Sequence, residues 1–179
     1  MEAFSCAVTG HRPTRFKFKY KENTSGCKRL KKRLHDQFVL LYEKGVRKFY
    51  VGGALGVDMW AAEILLRLKE QSGFEEVDLT VVLPFQGHDE NWDERSKIRM
   101  QFIRNHARVI IVSDIPNAAS YLKRNCFMVD RADYLVAVYD NERNLRSGTM
   151  QTVKYAEQQG MPIIFIHPDT AVVFNNKKF

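Results

Sequence analysis

The chain has 179 residues, 45% of them apolar and 27% charged, a length suited to one domain that buries about 70% of its unfolded surface. That mixture excludes a disordered chain, and no apolar run reaches the roughly 18 residues needed to cross a bilayer. The net charge of +7 is local: Lys17 to Arg33 holds eight basic side chains against one acid, Glu22, which accounts for all of it.

In chain order, Phe4–Thr9 reads as a short buried strand, and Gly10-His11-Arg12-Pro13 supplies turn chemistry. Asn23-Thr24-Ser25 offers capping oxygens to a helix on which Leu30, Leu34, Phe38 and Leu41 share a face until Gly45. Lys48–Val51 is a strand, Met59 to about Gln71 a helix, Leu79–Leu83 a third strand and Trp92 to about Ala107 a helix. Val109–Val112, Tyr134–Tyr139 and Ile163–Ile166 complete six strands, with helices over Asn117–Val129 and Ser147–Gln159. Residues 171–179 read as a short C-terminal tail, frayed from Asn175. Continuously apolar strands alternating with helices predict an α/β, Rossmann-like three-layer fold with a mostly parallel sheet, in a single domain over residues 1–170. The N-terminus has no basic region followed by an apolar stretch, so a cytoplasmic protein without a membrane partner is expected.

In such a sheet ligands sit at the carboxyl ends of the strands, near the point where strand order reverses. Three turns fall there. Gly52-Gly53-Ala54-Leu55-Gly56-Val57-Asp58 links a strand to a helix, where glycines admit a close ligand and the helix start attracts an anion. Asp58 suits a ribose hydroxyl or simply favours the helix start. Arg146-Ser147-Gly148-Thr149 opens another helix with N–H and O–H donors, and Gly10, His11 and Arg12 close the first strand. Either glycine turn also serves as plain strand-to-helix or capping chemistry; convergence of all three on one crevice is the specific signal. Arg124 and Asn125 lie on the helix before the fifth strand, Arg124 facing either the crevice or a surface partner such as Asp130 or Asp133. Trp92 and Phe85 offer a stacking face for a base or pack beneath a loop. Cys6, Cys27 and Cys126 are scattered, and the five histidines form no metal-ligand pair, so neither metal nor separate cofactor is expected.

The blocks VTGHRP (Val8–Pro13), VGGALGVDMWAAE (Val51–Glu63), LPF…W (Leu83–Trp92), KRNCFMVDRADYLVAVYD (Lys123–Asp140) and SGTMQTVKYAEQQGMPI (Ser147–Ile163) resemble the SLOG superfamily, and its small YpsA-like branch in particular. That superfamily unites the Smf/DprA DNA-processing proteins with the LOG nucleotide phosphoribohydrolases. The resemblance implies a shared ligand crevice formed by Gly52, Gly53, Gly56, Asp58, Ser147, Gly148 and Thr149, with Arg124 at the position of a LOG catalytic arginine. LOG enzymes carry a glutamate where this chain has Thr152, which cannot transfer a proton.

The expected function is therefore binding of a nucleotide-derived, phosphate-bearing ligand, ADP-ribose-like or a nucleoside phosphate, by a sensor or regulatory module without a catalytic residue. One alternative is N-glycosidic hydrolysis with Glu63 or Asp58 in place of the missing glutamate. Another is DprA-like single-stranded nucleic-acid binding through the Lys17–Arg33 stripe, where Phe16, Phe18 and Tyr20 alternate with lysines as they also would on an edge strand. A solvated helix face explains the stripe equally well. Homo-oligomerisation is left open.

Overall fold

Strand β1 (Phe4–Gly10) is buried along most of its length because it lies mid-sheet, between β2 (Val46–Gly52) and β5 (Tyr134–Val138). The computed structural model describes residues 2–141 and 147–178. The sheet continues through β3 (Asp78–Leu83) and β4 (Arg108–Ile111) on one side, and through β6 (Ile163–Ile166) and β7 (Val173–Asn175) on the other. Its order is β4-β3-β2-β1-β5-β6-β7, parallel except for β7.

The chain winds outward from β1 to β4 and then returns to place β5 beside β1. Right-handed crossovers put the intervening helices on opposite faces when the winding direction reverses. Accordingly α1 (Ser25–Glu43), α2 (Val57–Lys69) and α3 (Glu94–His106) cover one face, whose core includes Leu30, Phe38, Trp60, Leu65 and Ile103. Helices α4 (Ala118–Asp130) and α5 (Gly148–Gln158) cover the other, packing Met128, Val129, Val153 and Ala156 on Leu135 and Ile163. The sequence expectation of an α/β, Rossmann-like fold is met. No helix among the described residues is long and apolar enough to cross a membrane.

Local chemistry sets the helix starts. Thr24 accepts a hydrogen bond from the Cys27 N–H, Asn117 from Ser120 and Ser147 from Met150. The helix expected from Trp92 instead begins at Glu94, because the Asp93 carboxylate accepts from the Ser96 N–H at 2.9 Å and caps it there.

Two further readings need correction. Phe16, Phe18 and Tyr20 form neither an edge strand nor an open aromatic row. A short 3₁₀ turn at Pro13–Arg15 folds the segment inward, Phe16 stacks on Phe18 with ring centroids 5.0 Å apart, and both rings lie against Trp60. The tail is not frayed from Asn175. Asn175 pairs with Ile164 in β7, Phe174 stacks on Phe165, and the Asn176 side chain accepts from the Ile163 N–H while donating to the Met161 carbonyl.

Candidate functional site

The reversal of strand order between β1 and β5 opens a cavity of about 830 Å³ at the carboxyl ends of the strands. Thr9, Gly10, His11 and Arg12 enter it from the end of β1, and Ala54 and Asp58 from the turn into α2. Helix α4 contributes Asn117, Tyr121, Arg124 and Asn125; the start of α5 contributes Ser147, Gly148, Thr149 and Gln151. Three helix N-termini thus face one space. The first-turn N–H groups of a helix have no carbonyl partner within it, and its positive dipole end favours an anion.

Arg124 is the dominant charge. It is only 5% exposed, its Nε donates to Asn125 Oδ1 at 2.7 Å, and its Nη1 has no hydrogen-bond partner among the described residues. Burial pushes the guanidinium pKa down, and the nearby Asp58 carboxylate opposes that shift. Asp58, also buried, accepts from the Ala54 N–H at 3.2 Å. Burial raises its pKa, against the pull of Arg124 and Arg12. The Tyr121 ring lies between two cations, 5.6 Å from the Arg12 guanidinium carbon and 5.8 Å from that of Arg124, and meets Phe85 edge-on. Beside them Arg15 pairs with Asp140, whose other oxygen is 3.7 Å from His11 Nε2.

Of the residues expected from sequence, Gly10, His11, Arg12, Asp58, Arg124, Asn125, Ser147, Gly148 and Thr149 meet in this cavity. Arg124 joins neither surface acid: Asp130 accepts from the Tyr155 hydroxyl, and Asp133 from the Ser5 N–H. Gly52, Gly53 and Gly56 lie behind the crevice wall. A Cβ on Gly53 would come within 2.3 Å of Leu83 Cδ2, and one on Gly52 within 2.5 Å of Asp58 Oδ2 and 2.7 Å of Arg124 Nη1. Gly56, at φ +86°, caps α2 against the His11 carbonyl. Gly53 and Gly56 let neighbouring segments pack closely on the turn, and Gly52 leaves room for the two charged groups. Trp92 stands apart from the main cavity, edge-on to His88. Arg146 lies outside the described residues.

Neither Thr152 nor Glu63 reaches the crevice. The Thr152 hydroxyl is buried and donates to the Gly148 carbonyl at 2.8 Å. Glu63 accepts from Arg99, which also forks onto Glu22. Residues that sequence reasoning missed are Tyr121, Arg15, Asp140 and Gln151. Tyr121 and Gln151 each sit one helical step from a flagged residue, Arg124 and Gly148, and an i to i+3 projection would have found them. No local pattern marked the Arg15–Asp140 pair, which joins segments far apart in the chain.

A family model described as the YspA SLOG family matches residues 6–171. The chain belongs to this SLOG family. A UPF0398 protein of Bacillus cereus is 30% identical over 140 residues, covering 76% of this chain and 74% of its own length. The UPF0398 protein YpsA of Bacillus subtilis is 26% identical over 170 residues, covering 91% and 92%. Among solved structures, DNA processing protein A of Helicobacter pylori, described for its single-stranded DNA binding mode, superposes with a TM-score of 0.60 at 18% identity. That match covers 91% of this SLOG chain but 65% of the Helicobacter protein, and at this identity it shows the shared fold.

Proposed function

We propose that this SLOG protein binds a nucleotide-derived, phosphate-bearing small molecule in the β1/β5 crevice and acts as a ligand-responsive module. The observation that carries the reading is Arg124: a guanidinium 5% exposed, with Nη1 unpartnered, in the wall of a large cavity faced by three helix N-termini. A buried donor left without a partner costs about 1–3 kcal/mol, and an anion arriving at Nη1 recovers it. Asp58 in the same cavity suits a sugar hydroxyl, and the paired Phe85 and Tyr121 rings give a base an apolar wall.

The test has two arms. Purified protein is denatured and the supernatant examined by mass spectrometry for a released nucleotide derivative. Separately, nucleoside 5′-monophosphates and ADP-ribose are titrated against the folded protein by thermal shift and calorimetry. Stabilisation that disappears in Arg124→Ala supports the reading; no binding by any of these compounds and no released molecule would sink it.

A second reading, cleavage of a nucleotide N-glycosidic bond, has one observation in its favour: Asp58 is an acid whose burial raises its pKa inside the crevice. Glu63, bound to Arg99, no longer competes for that role. Under the binding reading, incubation with nucleoside monophosphates releases no free base above background. Base release that is lost in Asp58→Asn would replace binding with hydrolysis.

A further inference from the structure

Behind the main crevice lies a second, smaller cavity of about 60 Å³. Leu55 of the turn into α2 forms one side, and His88 and Trp92 of the β3–α3 connection form another. Arg12, Ala54, Tyr121 and Arg124 line both cavities, so the two are neighbours across a shared wall. The volume is several times the roughly 10–15 Å³ that one buried water needs, which admits a group of phosphoryl size.

Two of the lining side chains carry a buried polar atom without a hydrogen-bond partner among the described residues, Arg124 Nη1 and His88 Nδ1. The His88 side chain is 2% exposed, and its Nε2 lies 2.7 Å from the Gly53 carbonyl. A carbonyl only accepts, so Nε2 carries the proton and the neutral ring presents Nδ1 as an acceptor. Asp89, 3.9 Å from Nδ1, is too distant to bond it and instead accepts from Arg104 at 2.9 Å. Buried polar atoms are nearly always partnered, and two orphans of complementary kind in one small wall indicate a missing group. That group must accept from a guanidinium and donate to an imidazole nitrogen. Among the described residues no carboxylate lines the cavity while two arginines do, so the group is an anion. A phosphoryl group meets all three demands, because its second proton dissociates near pH 6 and is available to Nδ1.

We propose that this cavity is a second anion subsite that takes a terminal phosphoryl group, making the preferred ligand a nucleotide with two separate phosphoryl groups. The inference rests on the reading of the main crevice as a nucleotide site, with the nucleoside held there and Arg124 shared between the two subsites. Trp92 then walls a phosphate rather than stacking on a base.

The experiment compares adenosine 5′-monophosphate with adenosine 3′,5′-bisphosphate by calorimetry, and follows the His88 ring by NMR as inorganic phosphate is added against chloride of equal ionic strength. The bisphosphate is expected to bind at least about tenfold more tightly, the scale of one charge-assisted hydrogen bond. Phosphate is expected to move the His88 pKa upward, because an anion beside the ring favours its charged form. Leu55→Trp, which fills the small cavity, should abolish both effects and retain monophosphate binding. Equal affinities together with an unmoved His88 would overturn the subsite while leaving the main crevice standing. If neither adenosine compound binds and His88 is unmoved, the subsite is overturned, whereas the function proposed above falls only if ADP-ribose and the other nucleoside monophosphates also fail to bind and no molecule is released.

Discussion

Replacing Arg124 with methionine separates a binding arginine from a structural one. A buried ion pair broken by removing one partner loses about 3–5 kcal/mol, because a charge is stranded. Arg124 already has its Nη1 stranded, and among the described residues its hydrogen bond runs to the neutral Asn125. Methionine of similar volume removes the unsatisfied donor, a gain of about 1–3 kcal/mol, and loses the bond to Asn125, a cost of similar size. Asp58 loses its main countercharge, but its carboxyl, already raised in pKa by burial, is relieved by taking up a proton. The unliganded Arg124→Met protein should therefore unfold within about 1 kcal/mol of the wild type, a change of no more than about 4 °C in melting temperature for a chain of this size. Ligand affinity should fall by about 1.5–3 kcal/mol, roughly 10–150-fold, the value of a hydrogen bond to a charged group. Denaturant unfolding and calorimetry with adenosine 5′-monophosphate or ADP-ribose measure the two quantities on the same samples. A loss of 3–5 kcal/mol in stability with unchanged affinity would refute the reasoning, since it would make Arg124 part of the scaffold.

Gly53→Val should destabilise the fold by about 1–3 kcal/mol or more, because its Cβ would sit 2.3 Å from Leu83 Cδ2; unaltered denaturant unfolding would show that the turn yields freely. Glu22 loses solvent on folding, but its bonds to Arg99 and Lys31 outweigh that and lower its pKa from 4.5 to about 2. Its contribution is therefore present above pH 4.5 and lost as pH falls toward 2, and screening limits it to about 1–2 kcal/mol. Glu22→Gln should accordingly be less stable than the wild type at neutral pH, with the gap closing as pH falls toward 2; a gap independent of pH would contradict the pairing. On the basic face, Lys28 and Arg29 are exposed whereas Lys31 and Lys32 are engaged with Glu22 and Asp36. If oligo-dT binds there, reversing Lys28 and Arg29 to Glu should lower the salt slope by about 0.7 for each phosphate that is no longer neutralised. An unchanged slope would leave the stripe as a solvated helix face.

The fold was legible because its signals are local and repeated. Apolar runs such as Leu79–Leu83 and the Leu30-Leu34-Phe38-Leu41 face carry their own period, and capping residues Thr24, Asn117 and Ser147 mark where helices begin. The crevice lining was legible where a motif sits at a strand end, as with Gly10 to Arg12 and Ser147 to Thr149. It was misread where local pattern and tertiary packing conflict. The Phe16-Lys17-Phe18 alternation looks like a strand, but Pro13 starts a turn and Trp60 offers a surface on which both rings can be buried. The glycines of the second turn read as a phosphate loop, but a side chain there would meet protein: Asp58 and Arg124 at Gly52, Leu83 and His88 at Gly53, and the His11 carbonyl at Gly56. The Arg15–Asp140 pair was invisible for a different reason. Its partners lie on two strand-end segments that only the β1–β5 pairing brings together.

That packing explains how the crevice holds two opposite charges close together. Asp58 Oδ2 and Arg124 Nη1 both lie within 2.7 Å of where a Cβ on Gly52 would sit, so any side chain there would displace them. They are not joined by a direct ion pair, since Arg124 Nη1 is without a partner and the Asp58 carboxylate instead accepts from Ala54. Held close but apart, each moderates the desolvation of the other without consuming its hydrogen-bonding capacity. A molecule that presents an anionic oxygen to the guanidinium and a hydroxyl to the carboxylate satisfies both at once. A bare phosphate could also present its P–OH to the carboxylate, but it sets a second negative charge beside Asp58. Under the proposed function, a ribose 5′-phosphate carries both groups on one sugar, so this pair of residues would favour the ribose-phosphate portion of a nucleotide over phosphate itself.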